Sequence, residues 1–468
     1  MRFDSRVKRV VADPVFMLCA VCAASLYVAC SRQGGVWDND IFWHIKTGEY
    51  IWAARAVPRA DPFSWTVRGT PWTDHEWLWQ VFLYAVYAVL GWRVVPAVVL
   101  LGMSGLLWAL HSLCRPGGAR EKTAFECLAL LVVPALVPYL GSARPQVLSY
   151  LLFAVCLVLL ETYCERTLWV LPALQVLWVN SHGSFVLGIV LAAYFLAWEL
   201  AARSDRAAAK RLMMVLALDL LACGANSWGY SIVHYPFWVS SSGLMRSAIV
   251  EWHSPDFKSP EGLLLAMWLV LFCAGLRKAL PPAREVLLGA VFGLMALQSI
   301  RHAPYFVVCA SPVVYRLISS VLPEKLVSAR PGRGCTMVVA ACVAAVLVTA
   351  VAFTPTVNQE AFPVRAVEYI KEHGLSRVLN YYDWGGYLIW AGVPPFIDGR
   401  ADIYLQTPLF ERAYRFFTLR DSPRRLLEEY GVQCVLVPRG VPAATWLLDS
   451  PSWEPVFCDG AVVVFGRR

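Results

Sequence analysis

Residues 14–31 read PVFMLCAVCAASLYVACS, and residues 37–44 just beyond them read WDNDIFWH. The first stretch is an apolar run close to the length that crosses about 30 Å of hydrocarbon. The second places two carboxylates and an imidazole, set among tryptophans, immediately after that run. The head of the chain is basic, with Arg2, Arg6, Lys8 and Arg9. No A-x-A-like cleavage site clearly follows the run, so it is expected to be a retained first span.

The rest of the chain repeats the pattern. Of its 468 residues, 58% are hydrophobic and 16% charged, against roughly 25% charged in a soluble domain. Twenty Trp and nineteen Tyr suit a protein with two wet interfaces to anchor. Apolar runs recur near 77–112, 123–140, 146–161, 168–180, 183–200, 211–225, 261–276, 285–299, 303–320 and 335–353. With 14–31 they predict about eleven membrane spans. The 77–112 run is too long for one span, and Gly91 and Pro96 are expected to divide it into an interfacial and a crossing helix.

Charge sets the orientation. Arg115, Arg120 and Lys122, then Arg166, then Arg203, Arg206, Lys210 and Arg211 fall in alternate loops. So do Arg277, Lys278 and Arg284, and finally Lys325, Arg330 and Arg333. Loops rich in Lys and Arg stay cytoplasmic. The N-terminus is therefore expected in the cytoplasm, and three larger segments, 32–76, 226–260 and 355–468, on the opposite face. The net charge of +8 belongs to this asymmetry and needs no nucleic-acid partner. Most of the fourteen Cys lie in apolar runs, where they pack. Cys19 and Cys22 form a CxxC of that kind. Cys434 and Cys458 lie in the last segment and could pair there.

That last segment changes character. Short β-rich runs, 434–438 and 461–465, alternate with helical stretches near 363–373, 408–416 and 423–430. The fold class expected is an all-α polytopic membrane domain over 1–354 with a small α/β extracytoplasmic domain over 355–468.

The polar residues gather on one side of this map. In the first outside loop stand Asp38, Asp40 and His44, followed by 61–66 (DPFSWT) and 72–77 (WTDHEW). Two carboxylates beside an imidazole can share base work or hold a divalent cation such as Mg or Mn. The bland alternative is an interfacial helix whose acids simply face water. Arg144 opens a span, Asn180 and His182 occupy a tight turn, Glu251 lies in the second large loop, and Arg301 and His302 sit between two spans. A lone cation at the end of an apolar run either snorkels to the interface or grips an anion, and phosphate suits a guanidinium. His182 beside Asn180 can equally be a cap, and Glu251 has no basic neighbour in sequence. In the last segment, Tyr382, Asp383 and Trp384 precede two glycines, and 396–402 reads FIDGRAD. Rings beside a carboxylate suit sugar or peptide recognition. A strand-turn-strand corner at Asp398-Gly399 is the alternative.

These features resemble the GT-C superfamily of membrane glycosyltransferases, which include the oligosaccharyltransferases and protein O-mannosyltransferases. Asp38-Asn39-Asp40 is similar to that family's acidic motif in the first outside loop. Tyr381-Tyr382-Asp383-Trp384-Gly385 looks like the WWDYG motif of the oligosaccharyltransferase catalytic subunit, with Tyr for both Trp and Trp for Tyr. Glu251-Trp252-His253-Ser254-Pro255 is loosely similar to its outside-loop glutamate motif, without the preceding Ser-Val-Ser. Arg301 sits where the family keeps a phosphate-binding arginine. The layout is also similar to bacterial membrane proteins grouped with these enzymes.

The resemblance implies transfer of a sugar from a polyprenyl-phosphate lipid donor to a glycan, lipid or protein acceptor at the extracytoplasmic face of a bacterial inner membrane. Asp38, Asp40 and Glu251 would be catalytic. His44, Arg144, Asn180, His182, Arg301, His302, Tyr382, Asp383 and Trp384 would bind substrate, and Asp38, Asp40 and His44 a metal. Two other classes stay open: a transporter or flippase of a lipid-linked or anionic substrate, and a non-catalytic membrane scaffold. Transport needs polar groups along a path, and few are read inside the spans: Gln175, Glu199 near a cytoplasmic end, and Asp219, the one mid-span acid that stands out.

Overall fold

The computed structural model describes residues 35–162, 167–202, 205–243, 249–324 and 355–468. The expected spans at 14–31 and 335–353, and Cys19 and Cys22, lie outside the described residues. The structure is mostly helical, at 67%, with a small C-terminal sheet. Five helical stretches among the described residues are long and apolar enough to cross a membrane: Trp77–Cys114, Ala119–Leu140, Gly183–Ala202, Pro260–Lys278 and Ile300–Val321. A 3₁₀ turn at Gly91–Arg93 interrupts the first, with Gly91 at φ +55°. Glycine reaches that left-handed region without a Cβ clash. Pro96 does not break the chain: it lies in the first turn of the next helix, Val94–Cys114, where its missing N–H costs nothing. Shorter apolar helices follow at Gln146–Thr162 and Leu168–Val179.

The chain divides into two compact units, one drawn from 1–33 and 93–354, the other from 34–92 and 355–468. In the first, the helix Ala303–Val321 is buried along nearly its whole length. It packs against Ala119–Leu140, Pro260–Lys278 and Ala283–Gln298. Small residues let these backbones approach. A Cβ on Gly275 would stand 2.6 Å from Val313 Cγ1 and 3.2 Å from its carbonyl oxygen. Ser259 caps the helix Pro260–Lys278 by accepting the Gly262 N–H, with Pro260 in the first turn and Arg277 and Lys278 in the last. That order complements the helix dipole.

The second unit holds a four-stranded sheet in the order β1-β2-β4-β3. Here β1 is Val378–Asn380, β2 Cys434–Pro438, β3 Trp453–Asp459 and β4 Val462–Arg467. β1 runs parallel to β2, and β4 antiparallel to both β2 and β3. The helices Val364–Glu372, Leu409–Phe417 and Pro423–Glu429 fall where amphipathic spacing places them. Leu379, Val435, Val437, Phe465, Leu427 and Phe416 share one core with Trp43, Val67 and Trp72. Residues 34–92 are thus built into this unit, and Val36 bridges to Val357.

Two expectations change here. Cys434 and Cys458 are both free. They lie on β2 and β3, which flank β4, so two strand spacings of about 4.8 Å each separate them. That exceeds the roughly 7 Å that a disulfide spans between Cα atoms. Asp398-Gly399 is not a corner between strands either: it leads into the short helix Ala401–Tyr404.

Candidate functional site

The acidic motif stands at the N-terminus of the helix Asp40–Ala54. Asp38 accepts the main-chain N–H of Asp40 at 2.9 Å, and Asp40 Oδ1 accepts the indole N–H of Trp43 at 3.0 Å. Carboxylates are favoured there because the first-turn N–H groups and the helix dipole face them. A Cβ on Gly399 would lie 2.1 Å from Asp40 Oδ1, and one on Gly386 2.3 Å from the Asn39 carbonyl oxygen. Asn39 also donates its side-chain N–H to Asp383 at 3.4 Å. The motif is therefore pressed onto the two C-terminal turns, 383–386 and 398–400, which come more than 340 residues later. Bare glycine backbone is what admits it. Desolvation holds the Asp383 carboxyl above the usual range.

Tyr382 sets its ring edge-on to Phe410 at 5.1 Å. Trp384 is buried and donates its indole N–H to the Ala361 carbonyl at 2.9 Å, so its ring belongs to the unit's interior. His44 is buried, its ring centroid 3.7 Å from that of Trp43 and tilted to it, with Nε2 3.9 Å from Glu76 Oε2. Glu76 Oε1 in turn lies 3.5 Å from His75 Nε2. Among the described residues no three His, Cys, Asp or Glu groups converge as a metal site. The expected set of Asp38, Asp40 and His44 therefore does not form. Asp38 accepts the Asp40 main-chain N–H, Asp40 is turned onto Trp43 and Gly399, and His44 faces Glu76.

Beneath the motif lies a buried cluster. Arg400, with no side-chain exposure, gives two N–H groups to Asp398 at 2.8 Å each and one to Asp61 at 2.7 Å. Its guanidinium lies between the rings of Phe63, at 5.1 Å, and Trp72, at 4.8 Å. Tyr404 adds its hydroxyl to Asp398 at 2.7 Å. Burial alone would raise the Asp398 carboxyl, but the charge and hydrogen bonds of Arg400 and Tyr404 overcome it and hold Asp398 below the usual range. Asp61 and Asp398 were legible as acids in aromatic surroundings, but nothing local marked Arg400 as their partner.

The other unit carries the remaining candidates. Arg144 pairs with Glu251 at 3.1 Å, supplying the basic partner that Glu251 lacks in sequence. Ser299 donates to the Glu251 carbonyl at 2.9 Å, and the Ile300 N–H to the His253 carbonyl at 3.0 Å. The Arg301 guanidinium lies 4.3 Å over the Trp252 ring. The turns 250–253 and 299–302 are thereby stitched together, which gathers Arg144, Glu251 and Arg301. His302, beside them, has its buried Nδ1 without a hydrogen-bond partner among the described residues.

Tyr305 donates to Ser184 Oγ at 3.1 Å, and that hydroxyl lies 2.8 Å from His182 Nδ1. The Ser184 N–H also donates to Nδ1, at 3.2 Å. Nδ1 is therefore the acceptor, and the ring proton of neutral His182 sits on Nε2. Asn180 is a strut: its amide donates to the carbonyls of Val176 and Ala225, both at 2.8 Å. Gln175 is likewise committed, to the Phe185 carbonyl at 3.1 Å.

A multi-helix apolar unit and a small α/β unit carrying an acidic helix start make up the chain, and in fold it is similar to solved oligosaccharyltransferase and ArnT structures. Three of the similar solved structures illustrate the likeness. One is the archaeal oligosaccharyltransferase AglB from Archaeoglobus fulgidus in complex with an inhibitory peptide and a dolichol-phosphate. It has 13% identity and a TM-score of 0.61 over 92% of this chain and 70% of that one. Another is the Archaeoglobus fulgidus oligosaccharyltransferase in complex with Zn and sulfate, at 13% identity and TM-score 0.60 over 91% and 68%. A third is ArnT from Cupriavidus metallidurans in the apo state, at 14% identity and TM-score 0.58 over 99% and 98%. Likeness at such identity is one of fold. No protein-family model and no curated protein matches the chain.

Proposed function

We propose that the chain is a GT-C-type glycosyltransferase that moves a sugar from a polyprenyl-phosphate donor to an acceptor on the extracytoplasmic face of the bacterial inner membrane. About eleven spans hold it there. The observation that carries this reading is the seat of Asp38-Asn39-Asp40: a helix N-terminus pressed against Asp383 and the bare backbone of Gly399. A carboxylate fixed on a rigid element can meet an acceptor hydroxyl in one geometry. The dolichol-phosphate bound by the similar AglB supports a lipid-linked donor, and its peptide leaves protein among the acceptors beside glycan and lipid.

In the reaction the bond between the sugar C1 and the donor phosphate oxygen breaks, and C1 bonds to the acceptor oxygen. The acceptor proton passes to Asp38 or Asp40, and the electron pair leaves with the phosphate. Arg301, lying over Trp252, supplies a cation for a leaving phosphate, where fixed charge lowers the barrier. Arg144 and Glu251 form a partly exposed pair worth less than about 1 kcal/mol, so an anionic ligand can draw Arg144 off Glu251 at small cost. His182 offers its Nε2–H as a donor.

Purified protein with a polyprenyl-phosphate sugar and a mixed acceptor pool tests the reading. Asp40→Asn is expected to lose about 10²- to 10³-fold in transfer, the usual worth of a placed acid or base. Full turnover by a folded variant removes Asp40 from the chemistry. Unchanged flux of donor across proteoliposomes, with no sugar transferred by wild type, would move the protein to transport.

A further inference from the structure

Asp74 and Gln80 lie at the entry to the helix Trp77–Leu90, and neither is assigned a role above. Both are buried, Asp74 at 2% and Gln80 at 0% exposure. The Gln80 amide donates Nε2–H to Asp74 Oδ1 at 2.7 Å. The other two oxygens, Asp74 Oδ2 and Gln80 Oε1, are both buried with no hydrogen-bond partner. Each such orphan is costly to bury, and more so when the group is charged. Two side chains joined by one bond thus each hold a stranded acceptor beside that bond. A carboxylate cannot serve both atoms, because it is an acceptor only. A carboxylic acid can: its O–H on Oδ2 donates to Oε1 and closes an eight-membered ring of two parallel hydrogen bonds.

We propose that Asp74 keeps its proton and forms a closed acid–amide ring with Gln80, a buried proton-binding site that ties the loop 71–76 to the helix Trp77–Leu90. The surroundings agree. Burial pushes the Asp74 carboxyl up from 3.8 to about 7, and Asp402 pushes the same way. The Gln80 amide, the Glu76 main-chain N–H and Arg400 oppose it. The nearby ionisable groups on the same loop are His75 and Glu76, the latter facing His44.

The ring links to the acidic motif through packing. A Cβ on Gly48 would fall 2.1 Å from the Gln80 carbonyl oxygen, so the helix that starts at Asp40 rests directly on the Gln80 backbone. Unfolded Asp74 titrates near 3.8 and folded Asp74 near 7. Between those values only the folded chain holds the proton. The stability the ring contributes is therefore whole below about pH 4, falls as pH rises toward 7 and is lost above it.

The test is thermal unfolding of the full chain in detergent from pH 5 to pH 8, read as the difference between wild type and variants. Asp74→Asn replaces the acid by an amide that closes the same ring without a titrating proton. The excess of its midpoint over wild type is expected to be small at pH 5 and to grow to several degrees at pH 8. Gln80→Glu makes an acid–acid pair holding two protons, so its midpoint should fall with pH more steeply than wild type. A constant difference across the range, for the Asn variant or the Glu variant, overturns the proposal. So does recovery of the wild-type midpoint at pH 8 on adding sodium or potassium chloride, if Asp74→Asn lacks that recovery: a cation would then occupy the two oxygens.

Discussion

Arg400 is the residue on which the second unit turns. It is wholly buried between two rings and answers two carboxylates at once. Arg400→Met leaves Asp61 and Asp398 buried without their cation, a loss on the order of 3–5 kcal/mol. The expected result is a lowered unfolding midpoint and early proteolysis within 355–468. A midpoint within about a degree of wild type would show that the cluster does not hold the unit. Gly399 makes a separate prediction one residue away. Gly399→Ala drives a methyl against Asp40 Oδ1 and shifts the carboxylate by a large part of an ångström. Displacement of that order at reacting groups costs up to about 10²-fold in rate. Transfer activity should therefore fall while the unfolding midpoint stays near wild type; normal activity would mean Asp40 needs no exact seat. The sequence exposes Asp40 because an acid pair after an apolar run is anomalous locally. It hides Arg400, because Asp-Gly-Arg reads as a polar turn and the second acid, Asp61, lies 339 positions away.

At the scale of elements, apolar spacing locates the long helices and two strands, the runs 434–438 and 461–465 falling on β2 and β4, and leaves β1 and β3 unread. The long helices are legible because a span must satisfy every backbone group internally and so advertises itself as an apolar run. β1 has three residues, too few for any alternation to register. β3 carries Pro455, which is tolerated because the strand is at the sheet edge and irregular between Pro455 and Phe457. The pairing of the helices Asp40–Ala54 and Trp77–Leu90 is the element-level contact that places the acidic motif. It depends on Gly48, where a Cβ would meet the Gln80 carbonyl oxygen at 2.1 Å and the Tyr84 Cβ at 2.7 Å. Gly48→Val cannot be absorbed by a rotamer change, since the obstacle is backbone. Overpacking of this kind costs about 1–3 kcal/mol. The variant should unfold earlier and lose transfer activity together. Loss of neither would mean the two helices slide without penalty.

For the whole molecule, the proposed chemistry stands or falls on which face of the membrane carries residues 355–468. The excess of Lys and Arg in the alternate loops predicts them outside, and a leaflet assignment is a claim about topology that helix packing does not contain. Cys458 supplies a reporter. It is exposed on β3, whereas Cys434 is buried and burial pushes its thiol up to about 12. Among the described cysteines, Cys156, Cys223 and Cys309 are buried as well, Cys114 and Cys127 are half-buried, and exposed Cys273 lies within the apolar helix Pro260–Lys278. A charged, membrane-impermeant maleimide reacts through the thiolate, so an accessible thiol reacts where a buried one does not. Added to intact cells, it is expected to label the protein, and Cys458→Ser should remove most of that label. Labelling of Cys458 only after the cells are permeabilised would put the α/β unit in the cytoplasm. The acceptor would then have to be cytoplasmic, and the charge asymmetry of the loops would need another cause.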